Sequence, residues 1–238
     1  NKQTIRETQS KSKGHVARRY IHKRLPGPKE YIRVKEVRFI LHVSLHPCLV
    51  QIFDLFVDQE TLKLHIVMEE MNQNLYQLMK ARRHQMFLPV TLRSILRQLA
   101  DGIRHIHKHG FFHRDVKPEN ILVMPTAQYY GLTLNIPPFR EDDNYVVKIA
   151  DYGLARHYQN SSPYTSYIST RWYRLPEILL RRKRYLMPVD IWAFAVVAVE
   201  IATFRPLFPG SNELDQTWKI LSVLGSPNKK IDLDPESV

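Results

Sequence analysis

The stretch from Val90 to Asn120 constrains this chain more than any other. Leu92, Ile95, Leu96, Leu99, Ile103 and Ile106 lay one apolar stripe along a helix from Val90 to His109. Gly110 ends that helix. It delivers the chain directly into the polar octet His113-Arg114-Asp115-Val116-Lys117-Pro118-Glu119-Asn120.

The rest of the chain is read around this stretch. Residues 1–14 are polar, and the segment 1–15 is expected to be disordered or an insertion. Val34 to Leu45 carries Val34, Val37, Ile40 and Leu41 at helical spacing. Leu49 to Val57 and Leu62 to Met68 read as strands, with a turn at Asp58-Gln59-Glu60. Met71 to Arg83 reads as a short helix. Ile121 to Met124 and Tyr145 to Ile149 read as short strands on either side of a Pro- and Tyr-rich surface insertion, Pro125 to Asn144. Val189 to Thr203 is apolar nearly all round, the pattern of a buried helix. No internal repeat is present. Strands dominate early and helices late, so the expected class is α+β: a small sheet-containing lobe followed by a mainly helical one.

The octet carries the parts that phosphoryl transfer to a hydroxyl needs: a carboxylate to orient the hydroxyl, a cation for the phosphate and an oxygen ligand for magnesium. Asp115 can accept the hydroxyl proton, Lys117 can sit on the transferred phosphate, and Asn120 can bind magnesium through its amide oxygen. A second metal carboxylate comes from Asp151 in Asp151-Tyr152-Gly153, just after a strand, where the glycine permits the turn. Alone, His-Arg-Asp is usually a surface salt bridge and Asp-x-Gly a turn. In this order, with strands between them, they make a far more specific signal.

These motifs resemble those of the eukaryotic protein kinases, whose pattern runs His-Arg-Asp-Leu-x-x-x-Asn, Asp-Phe-Gly, Ala-Pro-Glu. Here Val116, Tyr152 and Leu175-Pro176-Glu177 replace the usual residues. The likeness covers roughly residues 16 to 227. It implies a bilobal kinase-like fold, with an incomplete small lobe over residues 16–70 and a helical lobe over 71–238 that is truncated at its end. It also implies ATP and Mg2+ as cofactors and protein Ser/Thr hydroxyls as substrates; Lys117 is the serine/threonine-type residue. By the same likeness Glu36 is the ion-pair glutamate of the C-helix, Met68 the gatekeeper, and Asp190 the buried-helix aspartate that holds the catalytic loop. Ala17, the Met71 backbone and Leu122 would line the nucleotide site. Thr165-Ser166-Tyr167 resembles the Thr-x-Tyr activation site of the group holding the MAP and cyclin-dependent kinases. Thr165 and Tyr167 are then phosphosites for an upstream kinase, with Arg114 and Arg174 as basic partners. Leu64-His65-Ile66-Val67-Met68-Glu69 and Ser169-Thr170-Arg171-Trp172-Tyr173-Arg174 bring the chain nearest the MAK-type kinases, above all the meiosis-inducing (Ime-type) kinases of yeasts, which implies roles in meiosis and sporulation.

Two features stand apart from the kinase pattern. No Gly-x-Gly-x-x-Gly is present, and the glycines before residue 100 are Gly14 and Gly27. Counted back from Glu36, the lysine motif falls on Val16-Ala17-Arg18-Arg19, which puts Arg19 where the lysine stands; otherwise Val16-Ala17 is a chance match. Arginine keeps the charge in a larger, planar group, so the exchange is not conservative. A catalytically impaired kinase fold acting as a scaffold is the competing reading.

Composition narrows the setting. The net charge of +12 points to acidic partners such as nucleic acid, nucleotide or phosphoprotein, or to a domain whose acidic remainder lies elsewhere. No nucleic-acid module accompanies the bases. No apolar run approaches the ~18 residues of a membrane span. The basic run Arg181 to Arg184 reads as a solvated loop or a nuclear-localisation patch. His105, His107 and His109 are spaced like metal ligands but lack an acidic partner, which argues against zinc. The lone Cys48 excludes a disulfide framework and fits a reducing compartment, cytoplasm or nucleus. A chain that opens on Asn1 is expected to be part of a longer protein.

Overall fold

The computed structural model describes residues 5–7, 16–21, 28–83, 85–131, 135–159, 171–180 and 187–225. Thr165, Tyr167 and the run Arg181 to Arg184 lie outside them.

The first lobe is built on a four-stranded antiparallel sheet in the order β1-β2-β4-β3. Its strands are β1 (Ile5–Glu7), β2 (Val16–Ile21), β3 (Ile52–Val57) and β4 (Leu64–Glu69). The β3–β4 hairpin closes on Asp58, whose Oδ1 accepts from both the backbone N–H and the hydroxyl of Thr61 at 2.7 Å. β2 pairs with β4 so that Ala17 stands opposite Met68 and Arg19 opposite Ile66. Val16 to Arg19 is thus a strand beside the one that leads to Met71. Within the segment 1–15, expected to be disordered or an insertion, Ile5–Glu7 adds an edge strand to β2.

Two helices interrupt this sheet: α1 (Pro28–Tyr31) and α2 (Lys35–His42). The spacing predicts a helix over 34–45, and the structure shortens it at both ends. Val34 is extended at its start and Val43 at its end (φ −94°, ψ 118°). The chain then runs into Leu45-His46-Pro47, where the proline disfavours helix for the residue before it.

The second lobe opens with β5 (Gln73–Asn74) and α3 (Leu75–Ala81) rather than one helix from Met71. Asn74 is the reason. Its side chain accepts from the Gln77 backbone while the Gln77 side chain accepts from the Asn74 backbone, a reciprocal cap that starts the helix at Leu75. α4 (Pro89–Lys108) buries Ile95, Leu99, Ile103 and Ile106, the predicted stripe. It has proline at its first turn, and Gly110 turns the chain out at φ 77°. β6 (Phe111–Phe112) follows, then the octet, then β7 (Ile121–Pro125), α5 (Thr126–Tyr130) and β8 (Tyr145–Ile149). β7 and β8 form an antiparallel hairpin from Ile121↔Ile149 to Pro125↔Tyr145, so the insertion is the loop of that hairpin. β9 (Arg156–His157) pairs back onto β6.

α6 (Pro176–Leu179), α7 (Pro188–Thr203) and α8 (Glu213–Leu224) complete the described residues. One core joins α4, β7, β8 and α7 through Leu99, Ile103, Ile121, Val147, Val197 and Ile201. α7 is expected to be buried all round. Val196, Val197 and Ile201 meet that expectation, but Ile191 on the other side is 54% exposed. The insertion also departs from a plain surface loop. It contains α5, and Arg140 and Asp143 are buried against α4 (2% and 6% exposed). Among the described residues no helix is long and apolar enough to cross a membrane.

Candidate active site

The octet is held from below by one carboxylate. Asp190, in the first turn of α7, is 1% exposed. Its Oδ2 accepts from the His113 backbone N–H at 2.7 Å and from His107 Nε2 at 2.9 Å. Its Oδ1 accepts from the Arg114 backbone N–H at 2.8 Å. Arg114 has φ 72°, a left-handed conformation that costs a non-glycine residue of order 1–3 kcal/mol. Charge-assisted bonds to consecutive backbone amides hold the loop there.

His113 ties the octet to Asp151. Its Nδ1 accepts from the Asp115 backbone N–H (3.2 Å), so Nε2 is the donor to the Ala150 carbonyl (3.0 Å). The Ala150 N–H in turn donates to the Asn120 carbonyl at 2.9 Å. The residue before Asp151 is thereby stitched to both ends of the octet.

Asp115, Lys117 and Asn120 converge. Asp115 Oδ2 receives Lys117 Nζ at 3.0 Å and Asn120 Nδ2 at 2.8 Å. Asn120 Nδ2 also donates to the Asp115 carbonyl at 2.8 Å. Asp115 Oδ1 is buried with no hydrogen-bond partner among the described residues. A buried, unpaired carboxylate oxygen is costly, and such exceptions concentrate where a further group must bind. With its nitrogen committed, Asn120 has only its amide oxygen to present to a ligand.

Asp151 also sits in the left-handed region (φ 65°), with Gly153 N–H donating to its side chain at 3.4 Å. Tyr152 turns the other way, into the core. Its hydroxyl, which burial obliges to find a partner, donates to the Ile149 carbonyl at 2.9 Å. Burial, with the Glu69 and Glu36 charges, pushes its phenol well above the ordinary tyrosine range. Its ring stacks on Phe39 of α2 at 4.2 Å between centroids and 17° between planes. This contact docks α2, and with it the buried Glu36, on the Asp151 turn.

Of the residues that the likeness assigns to the nucleotide, Ala17 and Arg19 lie on β2, Glu36 on α2 and Leu122 on β7, while Met71 lies between β4 and β5. Met71 is buried, while Ala17 and Leu122 are partly buried. The Arg19 side chain lies outside what the structure describes.

Of the basic residues assigned to Thr165 and Tyr167, Arg174 reaches toward Glu213 at 3.8 Å. Arg114 instead shares the neighbourhood of Lys35 on α2, as does Arg156 on β9. Burial, then the Arg114 and Arg156 charges, hold the Lys35 amine below the usual lysine pKa. Lys35 and Arg156 carry no sequence signal of this, because nothing in their spacing reveals that Arg114 and Arg156 come within electrostatic reach of Lys35. Of the three histidines, His107 parts from the other two, while the His105 and His109 rings lie 4.4 Å apart. His107 faces Asp190, whereas Ser44 Oγ lies 3.3 Å from His105 Nε2 and 3.0 Å from His109 Nε2. Among the described residues no group of three or more His, Cys, Asp or Glu is placed to hold a metal by itself.

Comparison with known proteins adds a family to this geometry. A family model described as "Protein kinase domain" matches residues 3–236. The chain is 54% identical over 223 residues to meiosis induction protein kinase IME2/SME1 of Saccharomyces cerevisiae, covering 94% of this chain and 34% of that protein. It is 44% identical over 203 residues to sporulation protein kinase mde3 of Schizosaccharomyces pombe (85% of this chain, 34% of that protein). It is 47% identical over 173 residues to the mouse serine/threonine-protein kinase MAK (73% of this chain, 25% of that protein). The chain therefore spans about a third or less of these relatives' lengths.

Proposed function

The chain belongs to the protein kinase domain family, and from that premise we propose that it transfers the γ-phosphate of ATP to serine and threonine hydroxyls of proteins. The observation that carries this reading is the Asp115 carboxylate. One oxygen is fixed by Lys117 and Asn120, and the other is buried and unpaired. That second oxygen suits an incoming hydroxyl. It orients the attacking oxygen and accepts its proton as the new P–O bond forms and the bond to the ADP oxygen breaks. Lys117, 3.0 Å from the same carboxylate, brings positive charge to the transferred phosphoryl group.

The donor set fits Mg2+, a hard cation that takes oxygen ligands: the Asn120 amide oxygen and the Asp151 carboxylate would hold it. Bound there, Mg2+ neutralises charge on the phosphates. Ala17, Met71 and Leu122 are the residues we assign to the adenine, and Glu36 and Arg19 to the phosphate-gripping pair. Thr165 and Tyr167 are proposed phosphosites for an upstream kinase. The Lys35, Arg114 and Arg156 cluster then offers positive charge from three elements to a phosphate on that segment. The yeast relatives' names support a proposed role in meiosis or sporulation; we further propose the cytoplasm or nucleus as its setting, with neither a membrane nor a specific nucleic acid as partner.

The test is the thermal shift of this chain with ATP. The expected result is a rise in Tm that requires Mg2+ and is lost in Asp151→Asn. A shift of equal size in EDTA, or none in either condition, would overturn the assignment of Asn120 and Asp151.

A further inference from the structure

The insertion between β7 and β8 grips the segment that joins the two lobes, at points the phosphoryl-transfer chemistry does not use. Glu69, at the end of β4, is buried, and its carboxylate is saturated by donors. Oε1 accepts from the Gln51 backbone N–H at 2.5 Å and from Lys148 Nζ at 2.6 Å. Oε2 accepts from Lys148 Nζ at 2.8 Å and from the Tyr129 hydroxyl at 2.9 Å. Lys148 Nζ also lies 4.9 Å from the centre of the Tyr129 ring, a cation–π distance. The neighbouring insertion residue, Gln128, accepts from Asn72 Nδ2 at 2.6 Å. Two consecutive residues of α5 thus hold Glu69 and Asn72, on either side of Glu70-Met71.

The insertion is itself fixed to the second lobe. The Thr126 backbone N–H donates to the Asn144 carbonyl at 3.1 Å, and the Thr126 hydroxyl donates to the Asp143 carbonyl. The Asp143 carboxylate takes Arg97 of α4 at 2.8 and 3.0 Å, together with Ser94 and Arg140. Asn144 donates to Thr91, also on α4, at 2.6 Å. A continuous set of polar contacts therefore runs from α4 through the insertion to residues 69–72. Burial and the Glu69 charge keep the Tyr129 phenol protonated, so it stays a donor.

We propose that Tyr129 is a positioning residue: through Glu69 it fixes the backbone of residues 69–72 in the place where the nucleotide base docks. This rests on the kinase reading, which puts Met71 against the base. A tyrosine that only stabilised the fold would strengthen the molecule as a whole. A positioning tyrosine acts on one segment and one ligand.

The test is Tyr129→Phe, which keeps the ring and its cation–π contact and removes the phenolic donor. Hydrogen exchange of this chain is expected to quicken at the amides of residues 69–72 and to stay unchanged in α4. The KM for ATP is expected to rise roughly three- to tenfold, the scale of one lost hydrogen bond to a charged group, with kcat changing by less than about twofold. Tyr129→Phe added to Glu69→Gln is expected to do no more than Glu69→Gln alone, because both act through one contact. A lower Tm with unchanged exchange at 69–72 and unchanged KM would overturn the proposal, as would full additivity. If the wild-type chain neither binds nor turns over ATP, the kinase reading fails, and the exchange pattern at 69–72 still decides whether Tyr129 fixes that segment.

Discussion

The octet and α2 each hold a carboxylate assigned to the same chemistry, and they hold it by different means. Asp115 sits in a polar frame. Asp190 fixes the His113 and Arg114 amides, His113 reaches Ala150, and Lys117 and Asn120 share one Asp115 oxygen. Glu36 rides on a helix of eight residues whose seat on the lower lobe is apolar: Phe39 stacked on Tyr152 and edge-on to Phe111 at 5.5 Å. Polar frames are directional and tolerate little displacement. An apolar seat is held by burial, which is non-directional. The difference teaches that this fold fixes its hydroxyl-orienting residue rigidly and leaves its phosphate-gripping side adjustable.

Three outcomes sharpen or break that contrast. The largest belongs to Asp190→Ala, which leaves the buried His113 and Arg114 amides without their acceptor and releases the left-handed Arg114. Urea unfolding should show a loss on the order of 3–5 kcal/mol, a large share of a typical domain's ~5–15 kcal/mol, with phosphoryl transfer lost as well. A smaller effect is expected of Phe39→Leu, which keeps an apolar side chain and removes the stack. It should cost about 1–2 kcal/mol and lower transfer through α2, while hydrogen exchange of the octet stays as in the wild type. Loosening of the octet in that variant would show that the two regions are one unit after all.

The smallest effect concerns a third tie, where the loop after α2 meets α4. Ser44 and His46 face His105 and His109 there, and the His46 and His105 rings stack at 4.4 Å. Burial first, then the His105, Arg140 and Arg104 charges, hold the His46 pKa below 6.5, against an opposing pull from Asp101. Burial, with His109 and Lys108, lowers that of His105, against the Ser44 carbonyl bond. A depressed folded-state value means that the unfolded chain binds the proton more readily. The stabilising contribution is therefore present above pH 6.5 and lost as pH falls through the folded values. Tm is expected to drop modestly on acidification below 6.5, and His105→Gln should flatten that slope.

Much of the lower lobe was legible in the sequence because its information is local. The stripe on α4, the octet, the Asp151 turn and the strands on either side of the insertion are each set by a few adjacent residues. α2 is shorter than the spacing over 34–45 implies because Val34 and Val43 take extended backbone at its ends, and the Asn74–Gln77 cap starts α3 at Leu75 although the apolar pattern runs on from Met71. The insertion was legible as an insertion, but not as a brace. Tyr129 to Glu69 and Arg140 to Gln98 join residues far apart in sequence, and no periodicity or spacing announces such pairs. The same holds for Lys35 near Arg114 and Arg156. The strand at Val16 to Ile21 carries the weakest local signal, since only its register beside β4 makes Ala17 and Arg19 neighbours of Met68 and Ile66.

The central claim is that the half-satisfied Asp115 carboxylate orients a hydroxyl for phosphoryl transfer. It is tested most directly by transfer of labelled γ-phosphate from ATP to a serine-containing protein substrate, comparing wild type with Asp115→Asn at matched folding by Tm. The account predicts loss of transfer by about 10²- to 10⁴-fold, the scale of a removed general base, with ATP binding retained. Equal transfer by the folded variant would contradict it.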